Sequence, residues 1–213
     1  TYWCYQPPPG VPEVGPLPAS ANGYVTFGCL NNYAKVTQPT FEAWARILNQ
    51  VPDSRLILHC HEGSHRKNAV ERMAAHRVAS ERIRFVGKMP LLSYFEQFQR
   101  IDIALDPFPY PGGTTSCDGL WMGAPVVTMS GDTAVSRNGG SILSNIGLPE
   151  LIARSTEEYV EIAIQVARDV TKLGELRSTL RARMLASPLM DARQFARDLE
   201  SAYRSMWRQW CRQ

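Results

Sequence analysis

Leu105-Asp-Pro-Phe-Pro-Tyr-Pro-Gly-Gly-Thr-Thr-Ser-Cys-Asp-Gly-Leu-Trp-Met-Gly-Ala-Pro-Val-Val-Thr-Met129 is the stretch on which the fold turns. The residues leading into it, Ile101 to Asp106, have the length and apolar character of a strand. Pro107, Pro109 and Pro111 then hold the backbone extended. Gly112-Gly113 allows close backbone approach, and Thr114 opens a helix reaching Met122. Pro125 to Met129 is another apolar run of strand length.

The same alternation extends outward in both directions. Upstream, Tyr24 to Cys29 reads as a strand. Pro39 opens a helix whose Phe41, Trp44, Ile47 and Leu48 share one face. Arg55 to His59 is a short buried-type strand, Ala69, Met73 and His76 mark a helix, Ile83 to Val86 is a strand, and Leu91 to Gln99 a short helix. Downstream, helices are predicted over 134–146, 156–170, 173–186 and 191–210, with Pro188 separating the last two. Five strands joined by helices predict an α/β domain, a doubly wound, Rossmann-like parallel sheet covered on both faces. Such sheets bind ligands at the carboxyl ends of their strands.

Two segments are expected: a Pro-rich leader over residues 1–22 and a single Rossmann-like domain with C-terminal helices over 23–213. The leader carries Pro7, Pro8, Pro9, Pro12, Pro16 and Pro18, which argue against a regular helix or central strand and for an extended linker that covers a surface. Its Tyr2, Trp3 and Tyr5 need cover, expected from a neighbouring domain or the C-terminal helix. Because the chain opens on Thr1, its natural beginning is expected further upstream. The 213 residues include 23 basic and 20 acidic side chains mixed along the chain, a net charge of +3 without a basic stripe. That argues against a nucleic-acid partner. Apolar runs last only a few residues, so no membrane span is expected, and no signal peptide is visible. Five scattered cysteines without CxxC spacing fit reduced thiols and a cytoplasmic setting.

The chemistry is sought first at Thr114. Amides at a helix N-terminus, the helix dipole and two adjacent hydroxyls form an anion site suited to phosphate. Asp118 lies four residues on, where a carboxylate would repel phosphate but accept hydrogen bonds from ribose hydroxyls. Phosphate at the amides and ribose at the carboxylate fit a nucleoside diphosphate. The residues alone leave open a plainer alternative: a threonine that only caps the helix and Asp118 as a first-turn acid. Neither GxGxxG nor GxxxxGK[ST] occurs, which disfavours a dinucleotide fold or a P-loop. Lys35, in Leu30-Asn-Asn-Tyr-Ala-Lys35, follows the first strand and could neutralise a diphosphate, the alternative being a solvated loop lysine.

Other clusters are weaker. His59-Cys60-His61 with His65 invites a metal, but Cys60 would point away from the histidines and no further ligand completes the set. Asp102 and Asp106 share a strand face without further oxygen ligands, so structural roles are expected. Leu199, Tyr203, Met206, Trp207 and Trp210 form a helical stripe expected to pack on this domain or another. Ser136-Arg137 is compatible with a phosphate contact or with a surface or capping role.

Gly112 to Val127, together with Asn32-Tyr-Ala-Lys35, Gly147-Leu-Pro-Glu-Leu-Ile-Ala153, and Ser187-Pro-Leu-Met190 through Trp207, resembles the protein O-GlcNAc transferase family, particularly bacterial members with TPR repeats. The likeness runs from about residue 24 to the C-terminus. It implies the C-terminal, donor-binding half of a GT-B glycosyltransferase that transfers a sugar from UDP-GlcNAc to Ser or Thr hydroxyls of an acceptor protein or peptide with inversion and without a metal or other cofactor. Carried over residue by residue, it implies that Lys35 acts catalytically on the donor diphosphate with Thr114 and Thr115. It further implies that Asp118 holds the ribose, and that Asn32, Met89, Tyr94, Gly112 and Gly113 line the donor site. The chain departs from the family pattern at Gly113 and Tyr94, where many members have histidine, and at Leu91, where they have a basic residue. The resemblance also implies an N-terminal catalytic half and TPR repeats beyond this sequence, so the chain by itself is expected to be inactive. A fucosyl or N-linked hexosyl transferase and a noncatalytic module of the same fold are the alternatives.

Overall fold

A computed structural model of the chain describes residues 2–212; Thr1 and Gln213, the outermost residues of the two expected segments, lie outside the described residues. Strands β1 (Thr26–Cys29), β2 (Arg55–His59), β3 (Ile83–Val86), β4 (Ile103–Leu105), β5 (Val126–Met129) and β6 (Ile152–Ala153) form one parallel sheet in the order β3-β2-β1-β4-β5-β6. β1 is buried along its whole length. Phe27 lies in register with Leu56 on one side and Ile103 on the other. The expected doubly wound sheet is thus the observed one. β6 is an addition: two residues are too few for any periodicity to reveal, and only pairing with Thr128 and Met129 makes them a strand.

Helices cover both faces. On one lie α2 (Gln38–Gln50), α3 (Ser64–Ala75) and α7 (Thr156–Arg168), whose Trp44, Ile47, Met73, Tyr159 and Ala163 bury Phe27, Leu56, Leu58 and Val127. On the other lie α4 (Leu91–Gln97), α5 (Thr114–Trp121), α6 (Asn138–Asn145) and α8 (Val170–Leu185), around Cys117, Leu120, Val126, Ile142, Leu180 and Phe98. Each fully buried Val, Leu, Ile, Phe or Met side chain among them is worth about 1.5–3 kcal/mol. Residues 134–146 are not one helix. A 3-10 turn over Val135–Arg137 precedes α6, because Ser136 hydrogen-bonds back to Thr133 and shapes a tight turn. Asp169 separates α7 from α8 and caps the latter, accepting from the Lys172 amide at 3.0 Å.

The leader departs most from expectation. It contains a short helix, α1 (Pro18–Asn22), begun by a proline in the first turn, where the missing N–H costs nothing. The leader is also tied into the domain. Arg177, 2% exposed, donates to the carbonyls of Gly15 at 2.8 Å, Ile101 at 3.0 Å and Phe98 at 3.3 Å. Asp102 accepts from the amides of Ala19 and Thr26, which gives it the structural role expected. Tyr5 is covered by α5, α8 and the turn at Leu189, not by the C-terminal helix. That helix, α9 (Ala192–Trp210), contains no buried residue, and its Trp207 and Trp210 are 66% and 69% exposed. The stripe expected to pack is therefore uncovered by the described residues. None of the described helices is long and apolar enough to cross a membrane.

Candidate functional site

Strand order reverses between β1 and β4, and the crevice outside their carboxyl ends is where open α/β sheets take ligands. After β1 the chain enters a 3-10 turn over Tyr33–Lys35, capped by Asn32, whose Oδ1 accepts from the Ala34 amide at 3.0 Å. This turn carries half-buried Lys35 toward the facing loop. The Lys35 ammonium donates to the Pro111 carbonyl at 3.1 Å and lies 4.2 Å from the centre of the Tyr110 ring. An ammonium has three donors, so two remain for a ligand. Burial lowers the Lys35 pKa, with the charge of Asp106 acting in the opposite direction. Lys35 is therefore no solvated loop lysine.

After β4 the loop is held from beneath. Buried Asp106 accepts from Ser116 Oγ at 2.8 Å, the Gly112 amide at 3.2 Å and Asn31 Nδ2 at 3.4 Å. Burial raises its pKa, and these hydrogen bonds oppose the rise. Thr37 and Thr40 at the start of α2 both donate to the Phe108 carbonyl, and Tyr159 donates to that of Asp106. A Cβ at position 112 would overlap Ser116 Oγ and stand 2.8 Å from Asp106 Oδ1, so the turn needs glycine there.

Gly113 then serves as N-cap of α5 without any side-chain cap, and the first helical bond runs from the Cys117 amide to the Gly113 carbonyl at 3.0 Å. The amides of Thr114, Thr115 and Ser116 thus stand ahead of the helical ladder, and Thr114 is exposed. Asp118 is buried one turn into α5. Its Oδ1 accepts from the Tyr5 hydroxyl at 2.8 Å and its Oδ2 from the Tyr94 hydroxyl at 2.9 Å. Burial raises the Asp118 pKa against the pull of those two phenols. The carboxylate borders a cavity of about 250 Å³ also lined by Trp3, Tyr5, Leu91, Phe95 and Thr114.

A model of Glycosyl transferase family 41 matches residues 16–199. The chain belongs to that family. This family 41 chain is 45% identical over 215 residues to the probable UDP-N-acetylglucosamine–peptide N-acetylglucosaminyltransferase SPINDLY of Petunia hybrida, covering 99% of this chain and 23% of that protein. It is likewise similar to a mutant O-GlcNAc transferase of Thermobaculum terrenum, with a TM-score of 0.89 at 36% identity over 97% of this chain and 40% of that one. HepE of Anabaena, solved with UDP and glucose, aligns with a TM-score of 0.58 at 16% identity over 86% of this chain and 51% of that one, a likeness of fold. The family 41 chain therefore spans about a quarter of the length of the curated relative.

Most of the residues named from the sequence of this family 41 chain converge on the crevice. Asn32 and Lys35 stand on the β1 side; Gly112, Gly113, Thr114, Thr115 and Asp118 stand on the β4 side, and Tyr94 joins them through Asp118. Met89 sits apart, before α4, half-buried against the cluster of Leu30, Phe95 and Phe98. Three participants were not named as site residues from the sequence, although Asp106 was expected in a structural role. Asn31 and Asp106 brace the glycine turn, and Tyr5 reaches Asp118 from 113 positions away. The leader's need for cover was the only signal of the last. A Cβ at Gly113 would overlap the Trp3 ring, so the leader fills the space that a side chain would occupy. The His59 and His61 rings lie 5.2 Å apart while His65 turns to Tyr33, and among the described residues no three His, Cys, Asp or Glu side chains are grouped to hold a metal. Arg137 donates to its own loop at the Asp132 carbonyl.

Proposed function

We propose that this chain is the donor-binding half of a GT-B protein O-glycosyltransferase that uses UDP-GlcNAc. One observation carries the reading: across the switch point of the sheet the Lys35 ammonium reaches the Pro111 carbonyl, two residues before the uncapped start of α5 at Gly113. A diphosphate placed there receives the α5 amides and dipole from one side and a lysine charge from the other. As an acceptor Ser or Thr hydroxyl attacks the anomeric carbon, charge grows on the β-phosphate of the departing UDP. Preorganised donors that meet that charge stabilise the transition state more than the ground state. Asp118, one turn further on, is the partner for the ribose hydroxyls. The names of the relatives, which specify UDP-N-acetylglucosamine and a peptide, favour this donor and acceptor class. Their greater length favours an acceptor site completed by a second half, and the 213 residues alone are expected to bind donor without efficient turnover. The spacing of the cysteines supports a reducing, cytoplasmic setting.

Thermal unfolding with and without millimolar UDP tests the reading. A ligand present at 100 times its Kd stabilises by about 2.7 kcal/mol, enough to move the midpoint by several degrees. Competition between UDP and GDP assigns the base. A chain whose midpoint moves with neither nucleotide is not a donor-binding domain.

A further inference from the structure

The leader does more than tie itself to the sheet, because it reaches the carboxylate of Asp118 in the crevice. Tyr5 is buried, its amide donates to the Leu189 carbonyl at 2.8 Å, and its ring leans on Trp121 with centroids 6.4 Å apart. Backbone and ring are thus held independently of Asp118. Its hydroxyl nevertheless ends 2.8 Å from Asp118 Oδ1, while Tyr94 occupies Oδ2 from the opposite side at 2.9 Å. A carboxylate offers about four lone-pair positions. Two phenols, one per oxygen, use half of them and stop the group rotating about its last bond. One acceptor position is left on each oxygen, and Asp118 borders the small cavity beside Thr114. Two parallel acceptors match two adjacent hydroxyls, which is the pattern of a ribose vicinal diol.

We propose that Tyr5 is a positioning residue of the nucleoside site, fixing Asp118 so that its two open acceptor positions receive the 2′- and 3′-hydroxyls of the donor ribose. The proposal rests on the donor-site reading above and adds to it that ribose recognition depends on a leader segment. Tyr5 itself touches no reacting atom. If its hydroxyl served only to hold the leader down, its loss would affect every ligand of the crevice alike.

The experiment is calorimetric titration of the chain with UDP and with 2′,3′-dideoxy-UDP, for the wild type, Tyr5→Phe and Lys35→Met. The wild type is expected to favour UDP by about 100-fold or more, the scale of two hydrogen bonds to a charged acceptor. In Tyr5→Phe the preference shrinks to within about 3-fold while dideoxy-UDP affinity stays nearly constant. Lys35→Met weakens both nucleotides together and preserves the ratio. A wild-type preference that survives Tyr5→Phe overturns the proposal and leaves the donor site standing. So does a wild type that binds both nucleotides equally. A wild type that binds neither UDP nor GDP overturns both readings. If circular dichroism shows Tyr5→Phe unfolded, Tyr5→Leu is judged by the same ratio.

Discussion

Replacing Lys35 by methionine keeps most of the apolar stem and removes the charge, so it isolates the electrostatic part of donor binding. The ammonium is positioned by the Pro111 carbonyl at 3.1 Å, immediately before the glycine pair that opens α5. Two unit charges ~6 Å apart at an effective dielectric constant of ~20 attract by about 3 kcal/mol. Lys35 is only half-buried, and solvent screening reduces that to roughly 1.5 kcal/mol for each phosphate charge. A diphosphate with two charges in range therefore loses about 2–3 kcal/mol, or 30- to 150-fold in Kd. The assay is calorimetric titration with UDP, and with uridine as the control that lacks phosphate. UDP affinity is expected to fall by that factor, with uridine affinity unchanged. A Lys35→Met chain that binds UDP within about 2-fold of the wild type refutes the charge argument, because no screening consistent with a half-buried side chain removes so large a share.

Arg177→Met leaves the carbonyls of Gly15, Phe98 and Ile101 without their buried donor, and unfolding in urea should show a loss of about 3–5 kcal/mol; a loss below about 1 kcal/mol contradicts the role given to this side chain. Gly113→Ala must displace the Trp3 ring, so it should lower stability by about 1–3 kcal/mol and shift tryptophan emission toward that of exposed indole. Unchanged emission would mean that Trp3 does not rest on this glycine. Burial raises the Asp106 pKa above its ordinary 3.8, so the folded state keeps this proton to higher pH than the unfolded state does. Its contribution to stability is complete below pH 3.8 and is lost as pH rises through the raised value. The stability of Asp106→Asn relative to the wild type should therefore improve as pH climbs from 3.8 toward neutrality, and a pH-independent difference in urea midpoint counts against it.

The strands were legible because each is a short apolar run bounded by turn residues, and Arg55–His59 and Ile83–Val86 have the very bounds that the residues predict. Lys35 and Thr114 were legible as edge residues for a simple reason: in a parallel sheet every loop that follows a strand emerges at the same edge. Asp106 was read only as structural. Its part in bracing Gly112 follows from Ser116 and Asn31 approaching it from two different loops, which no local pattern records. Six prolines made the leader look like a linker. Its buried Tyr5 and its α1 turn depend on Arg177, Asp102 and Leu189, all more than 75 positions away in the chain. The stripe on α9 shows the converse, since amphipathic spacing establishes that a face is apolar but not what covers it.

Hydrophobic alternation, the proline and glycine punctuation and the order of elements were enough to specify a parallel sheet and to single out one helix start at its edge as a candidate anion site. These are local properties, set by side-chain volume and backbone torsion within a few residues. Which strands became neighbours was decided by the tertiary structure, and with it the meeting of Lys35 with Pro111 across the β1–β4 crevice. The pairing of Asp118 with Tyr5 and Tyr94 was settled in the same way. Such contacts depend on how layers of side chains pack at a distance, and the free energy of that packing belongs to the assembled core rather than to any one segment.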